Sequence, residues 1–174
     1  ILHLTAITAN APENKRFYTD TLGLRLVKKT VNQDDTSAYH LFYADGKATP
    51  GTDLTFFDWP TGPEQRGTHS ISRTGLRVAE ESFDFWAAAA AAAVGGAVPL
   101  SDGRPVGDGH QRRGGGPITI SVPELDPTKA MLTKVLNMRE VRDYVSPDGV
   151  GRVHVFEMGK GGAAAELHLA VQPD

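Results

Sequence analysis

The chain contains no cysteine, which excludes disulfides, thiolate metal sites and cysteine nucleophiles and is compatible with a reducing cytoplasm. It also lacks a long apolar run. Ala87–Val94 is the longest, far short of the about 20 residues that span a bilayer. Nothing at the start reads as a signal peptide, and Ile1 in place of Met points to a trimmed beginning. Charge of one sign is not in excess either. A formal net charge of −3 and a pI near 6.1 give no electrostatic reason to expect nucleic acid or an anionic membrane as partner. Gly114-Gly115-Gly116 follows no strand and opens no helix, so it is not a phosphate loop. No Ser/His/Asp spacing suggests acyl transfer. What is present is 174 residues, 40% hydrophobic and 22% charged, an ordinary globular composition for one domain or two small ones. Assembly into a homo-oligomer is left open.

The main feature is an internal repeat. Phe17–Arg25 returns as Met131–Arg139 at an offset of 114 without a gap, and the same offset superposes Thr19 on Thr133, Leu22 on Leu136, Val27 on Val141, His40 on His154 and Phe42 on Phe156. Such self-similarity marks a duplicated supersecondary unit, and duplicated units commonly place a site in a cleft between copies.

Each copy reads as strand, helix, strand, strand, strand. In the first, Leu2–Thr8 is a strand, Asn10 caps a helix opened by Ala11-Pro12, Gly23 stops it, and Leu24–Val31, Ala38–Tyr43 and Thr52–Trp59 are strands. In the last, Ile118–Val122 precedes a helix from Asp126-Pro127, followed by strands at Arg139–Tyr144, Arg152–Met158 and Glu166–Val171. Between them Arg73–Val78 and Glu80–Trp86 begin a third copy. That copy breaks off in seven alanines, Ala87–Ala93, and a Gly/Pro-rich run to Gly116. Residues absent from this stretch explain it better than a structureless linker of that length. The expected organisation is a first module at 1–60, an incomplete second module and linker at 67–115, and a third module at 116–174. The fold class is α+β, repeated βαβββ modules whose curved mixed sheets surround a cleft.

The segments Leu2–Thr8, Phe17-Tyr18, Leu22–Asn32, Tyr39–Tyr43, Pro50-Gly51-Thr52 and Leu54–Phe57 with Trp59 together resemble the vicinal oxygen chelate (glyoxalase/bleomycin resistance/dioxygenase) superfamily, and within it the ring-cleaving dioxygenase branch. The resemblance implies four modules, so a fourth is missing here. It implies a mononuclear metal, usually Fe(II) and alternatively Mn(II) or Zn(II), held by two histidines and a carboxylate. The first-strand ligand position falls on His3, and the remaining ligands are expected beyond Asp174. Members often carry two adjacent histidines there, whereas this chain has Leu2 before His3. Thr5, on the same strand face, matches a pocket-lining position. The implied reaction is extradiol-type cleavage of a catechol- or hydroquinone-like aromatic by O2 in the cytoplasm. A glyoxalase-like isomerase or lyase, in which a metal binds vicinal oxygens and a glutamate moves a proton, is the alternative. A metal-free module that sequesters a flat drug-like molecule is another.

The remaining histidines need separate treatment. His40 and His154, matched by the repeat, suggest a shared structural task rather than catalysis. The positions matching His3 fall near Arg73 and at Pro117, which are not ligands. Glu166 and His168 alternate on the last strand, with Asp53 the counterpart of Glu166 after a one-residue gap. Glu166 could join His3 in a site across paired modules, but a solvated strand edge is the simpler reading. His69 and His110 sit in loop-like sequence. Tyr18, Tyr39, Phe42, Phe56 and Phe57 could wall an aromatic pocket.

Overall fold

A computed structural model describes residues 3–65, 67–94, 114–147 and 149–172. Two compact units divide the chain, Ile1–Pro63 with Leu76–Gly115, and Glu64–Gly75 with Gly116–Asp174. The run 95–113, including His110, lies outside the described residues. The fold class is the expected one: α+β, with two mixed sheets and few helices.

The first unit opens with β1 (His3–Thr8), followed by α1 (Ala11–Arg16) and one π-helical turn (Phe17–Thr21). Strands β2 (Arg25–Val31), β3 (Tyr39–Ala44) and β4 (Asp53–Asp58) complete the module. Asn10 caps α1 by accepting a hydrogen bond from the Glu13 amide at 3.1 Å. The sheet runs β1-β4-β3-β2. Its β1–β4 pair is parallel and the other pairs are antiparallel. Alternation sends Leu41, Tyr43, Leu54 and Phe56 toward Ala11 and Leu24 to form the core, with Leu4 and Tyr18 packed against it. Each such fully buried side chain contributes about 1.5–3 kcal/mol. The Tyr43 hydroxyl, taken into this core, donates to Asn14 Oδ1 at 2.9 Å.

The rest of the chain repeats the plan, with α2 counted in the first unit and the elements from β6 onward mainly in the second. β5 (Ser70–Arg77) and α2 (Phe83–Val94) precede β6 (Gly114–Val122), α3 (Leu125–Ala130) with its π-helical turn (Met131–Val135), β7 (Arg139–Val145), β8 (Arg152–Glu157) and β9 (Glu166–Val171). The sheet runs β5-β6-β9-β8-β7, with β6–β9 parallel. Its core is Val122, Leu132, Met138, Phe156 and Leu169. The alanine run continues α2 through Val94, as the residue of highest helix propensity should. No helix among the described residues is long and apolar enough to cross a membrane.

The recurring residues share recurring physical tasks. Thr19 and Thr133 each donate to the carbonyl four residues back, Lys15 and Lys129, at 2.8 Å, and such back-bonding bends helices. Both helices then end on a left-handed residue, Gly23 at φ 63° and Asn137 at φ 53°. The amides of Leu24 and Met138 bond back to Tyr18 and Leu132 at 2.9 Å. Both second strands carry a bulge, between Leu26 and Lys28 and between Glu140 and Arg142.

One expected correspondence fails. The connection between β2 and β3 covers residues 32–38, while that between β7 and β8 covers 146–151, one residue fewer. The offset therefore falls from 114 to 113 from β3 onward. His40 corresponds to Val153 and His154 to Leu41, because His40 pairs with Phe57 as Val153 pairs with Ala170. A one-residue slip turns a side chain to the opposite sheet face. The two histidines thus share no structural task.

The left-handed stops make a paired prediction. Gly23→Ala should lower stability by about 1 kcal/mol, whereas Asn137→Gly should raise it by a few tenths, about 0.5 kcal/mol at most. Urea denaturation measures both, and a Gly23→Ala protein as stable as its parent would contradict the cap geometry.

Candidate functional site

In the first unit the sheet face away from α1 carries the candidate residues His3 and Thr5. Parallel pairing of β1 and β4 sets His3 beside Asp53, Thr5 beside Thr55 and Ile7 beside Phe57. Antiparallel pairing extends two of these rows across the sheet. Phe42 and Lys28 follow Thr55, and His40 and Thr30 follow Phe57. Thr55 donates to Thr5 Oγ1 at 2.9 Å. His3, Thr5 and Ile7 are exposed, so the described residues of this unit leave that edge open.

The rest of this face is aromatic. His40 lies with its ring centroid 4.0 Å from both Phe42 and Phe57, and Phe57 stacks on Trp59 at 4.8 Å. Lys28 Nζ stands 5.5 Å from the Phe42 centroid. Burial lowers the His40 pKa, and positive charge on His3 and Lys28 lowers it further. Charge on those residues reaches His40 because the three side chains share one face. Of the five aromatics expected to wall a pocket, Phe42 and Phe57 do lie on the His3 face. Tyr18 and Phe56 pack in the helix-side core, and exposed Tyr39 holds Lys29 Nζ 3.6 Å from its ring centroid.

The second unit presents a different arrangement at the corresponding face. Glu166 and His168 are both 7% exposed, not on a solvated edge as expected. Arg142 Nη2 donates to Glu166 Oε1 at 2.8 Å, His168 Nε2 meets Glu166 Oε2 at 3.0 Å, and the Tyr144 hydroxyl meets His168 Nδ1 at 3.0 Å. With Glu166 ionised, Nε2 donates to it and Nδ1 accepts from Tyr144. Burial pushes the Glu166 carboxyl up, but the bonds from His168 and Arg142 prevail and hold it below its ordinary value. Both imidazole nitrogens are engaged and the carboxylate is neutralised by a guanidinium, so this network stands complete without a cation. Arg142 and Tyr144 were not anticipated. Their i, i+2 spacing on β7 matches Glu166 and His168 on β9, but only the register of β7, β8 and β9 brings them together, over the buried Val153 and Val155.

Beside that network lies a cavity of about 380 Å³, with buried Thr119, Ser146 and Ala170 and, toward solvent, Ser72, Arg73 and Gln172. His154 takes the helix side and meets Glu140 at 2.8 Å. Exposed His69 holds φ 62° in a turn, its Nδ1 3.2 Å from the Thr68 hydroxyl. Among the described residues no cluster of three His, Asp or Glu side chains could hold a metal ion. His3 and Asp53 share a row, but Glu166 and His168 are partnered within their own unit.

Comparison with known proteins adds the following. A family model described as "Glyoxalase/Bleomycin resistance protein/Dioxygenase superfamily" matches residues 1–104. A Bacillus subtilis (strain 168) protein named "Putative ring-cleaving dioxygenase MhqA" is 36% identical over 211 residues, covering 100% of this chain and 66% of that protein. The chain thus spans about two thirds of that relative's length. Because 211 aligned positions exceed 174 residues, at least 37 positions of the alignment face no residue here. The crystal structure of a "putative dioxygenase" from Bacillus subtilis superposes with a TM-score of 0.78 and 25% identity, covering 99% of this chain and 64% of that one. Glyoxalase I from Zea mays has the same fold, at a TM-score of 0.61 and 14% identity over 99% of this chain and 67% of that one.

The Glu166 network yields a prediction with a definite sign. A carboxyl held below its unfolded value, 4.5, contributes stability fully above that pH and loses it as the pH falls through the lower folded value. Glu166→Gln should therefore cost about 1–3 kcal/mol at pH 7, and the gap to the parent should shrink below pH 4.5. Denaturation series across pH test this, and a gap that is constant or widens in acid would contradict it.

Proposed function

The chain belongs to the glyoxalase/bleomycin resistance protein/dioxygenase superfamily, and from that premise we propose that it acts in a metal-dependent, extradiol-type ring-cleaving dioxygenase. The observation that carries this reading is 36% identity, across the whole chain, to a relative named for ring cleavage. The substrate class is a catechol- or hydroquinone-like aromatic, with O2 as co-substrate. Neither nucleic acid nor membrane is a partner, and the setting is the cytoplasm.

The residues present fit one corner of a metal site and not the whole of it. His3 offers an exposed imidazole at the start of a strand, a ligand suited to Fe(II), Mn(II) or Zn(II), and Asp53 stands beside it in the parallel register. A site that holds a metal and still leaves positions open needs about three protein ligands, and the described residues provide no such trio. No step of the reaction is therefore assigned to the metal. We take Fe(II) as the ion, with the remaining ligands supplied by residues other than those described.

What these residues do is shape and hold. The Thr55–Thr5 hydrogen bond fixes a hydroxyl pair next to His3, able to orient a substrate oxygen. Phe42, Phe57 and Trp59 offer flat apolar surface on the same sheet face, suited to an aromatic ring and to keeping water from it.

Oxygen-electrode traces test this reading with Fe(II)-supplemented protein and a panel of catechols and hydroquinones. Uptake of one O2 per ring is expected, reduced about 100-fold or more by His3→Ala, since even residues behind a ligand are worth 10- to 100-fold. Turnover without oxygen uptake would favour an isomerase or lyase, and uptake that survives His3→Ala would remove His3 from the mechanism.

A further inference from the structure

Among the described residues, one buried side-chain polar atom has no hydrogen-bond partner, Nε2 of His40. Buried polar groups in native proteins are almost always paired, and an exception points to a missing ligand, ion or water. The duplicated unit supplies an internal control. The residue corresponding to His40 is Val153, 1% exposed, at the matching place in β8. The duplicate therefore accommodates an apolar side chain at this position, whereas the imidazole of the first unit brings an unsatisfied nitrogen.

The surroundings state what that nitrogen could meet. His40 lies on the same sheet face as Thr5 and His3, in the row Thr30, His40, Phe57, Ile7. Its ring is flanked by Phe42 and Phe57, each at 4.0 Å. Apolar rings around one free polar atom are the composition of a site for a flat ligand with a single fixed hydroxyl. Burial and the charges of His3 and Lys28 favour the neutral imidazole, in which one nitrogen donates and the other accepts.

We propose that His40 is a ligand-binding residue of this face, with its Nε2 taking the hydrogen bond of an aromatic hydroxyl. The inference rests on the ring-cleaving reading for its choice of ligand, and it adds a contact which that reading does not include.

The test is binding without turnover. Full-length protein labelled with ¹⁵N-histidine is titrated with hydroquinone in the absence of O2 and added metal, and the imidazole nitrogens are followed by long-range proton–nitrogen NMR. Saturable movement of the His40 nitrogens is expected, with benzene producing none. His40→Val, which installs the residue of the duplicate, should bind hydroquinone at least tenfold more weakly and should unfold at the same or higher urea concentration than the parent. Unmoved His40 nitrogens at saturation, undiminished affinity in His40→Val, absence of saturable binding, or a clear loss of stability in His40→Val would each overturn the proposal. Because neither oxygen nor iron enters, hydroquinone binding through His40 in a protein that consumes no O2 would retain this inference and refute ring cleavage, and the converse result would do the reverse.

Discussion

The parallel pairing of the first and last strands in each module governs what the module can do. β1 lies beside β4, and β6 beside β9, in a fixed register. Since side chains alternate along a strand, the pairing assigns every residue either to the helix-side core or to the opposite face. In the first module it secures Leu4 and Leu54 in the core by the same act that sets His3 beside Asp53 and Thr5 beside Thr55. Stability and chemistry are coupled here. A slip of one residue would expose the core face and bury the polar one, so the apolar side chains that stabilise the sheet also hold the polar ones in place.

The two modules show how duplication separates scaffold from chemistry. Their helices end with the same π-helical turn, the same threonine back-bond and the same left-handed stop, and their second strands carry the same bulge. On the faces away from the helices the copies have diverged. The first has an imidazole on its opening strand, a threonine pair and a row of aromatics. The second has Pro117 in place of the imidazole and closes its face with Arg142, Glu166, His168 and Tyr144, bonded to one another. A satisfied network of this kind, with Glu166 and His168 buried and Arg142 toward solvent, rigidifies and specifies. The first face has instead an exposed imidazole on its opening strand and a half-buried one whose Nε2 has no partner among the described residues.

Much of the fold was legible because strand alternation, the Asn10 cap and the Gly23 stop are local signals, each set by a few neighbouring residues. The correspondence between His40 and His154 was misread because a gapless offset aligns both a histidine and a phenylalanine by coincidence. The one-residue difference in the connecting segments has no local signature. It becomes visible only when pairing to β4 and β9 fixes which face each histidine occupies. The environment of Glu166 and His168 was illegible for a related reason. Arg142 and Tyr144 lie 24 residues earlier, and three strands in register are needed to bring them together. His3 and Thr5 were nameable from sequence as candidates, but their open, exposed setting was not.

The central claim is that the face around His3, and not the one around His168, is where a divalent metal binds. Paramagnetic broadening of backbone amide signals during Mn(II) titration tests this most directly. The account predicts that the signals of His3, Thr5 and Asp53 vanish first, while those of Thr119, Glu166 and His168 keep their width. Selective loss at Glu166 and His168 with His3 unaffected would contradict it.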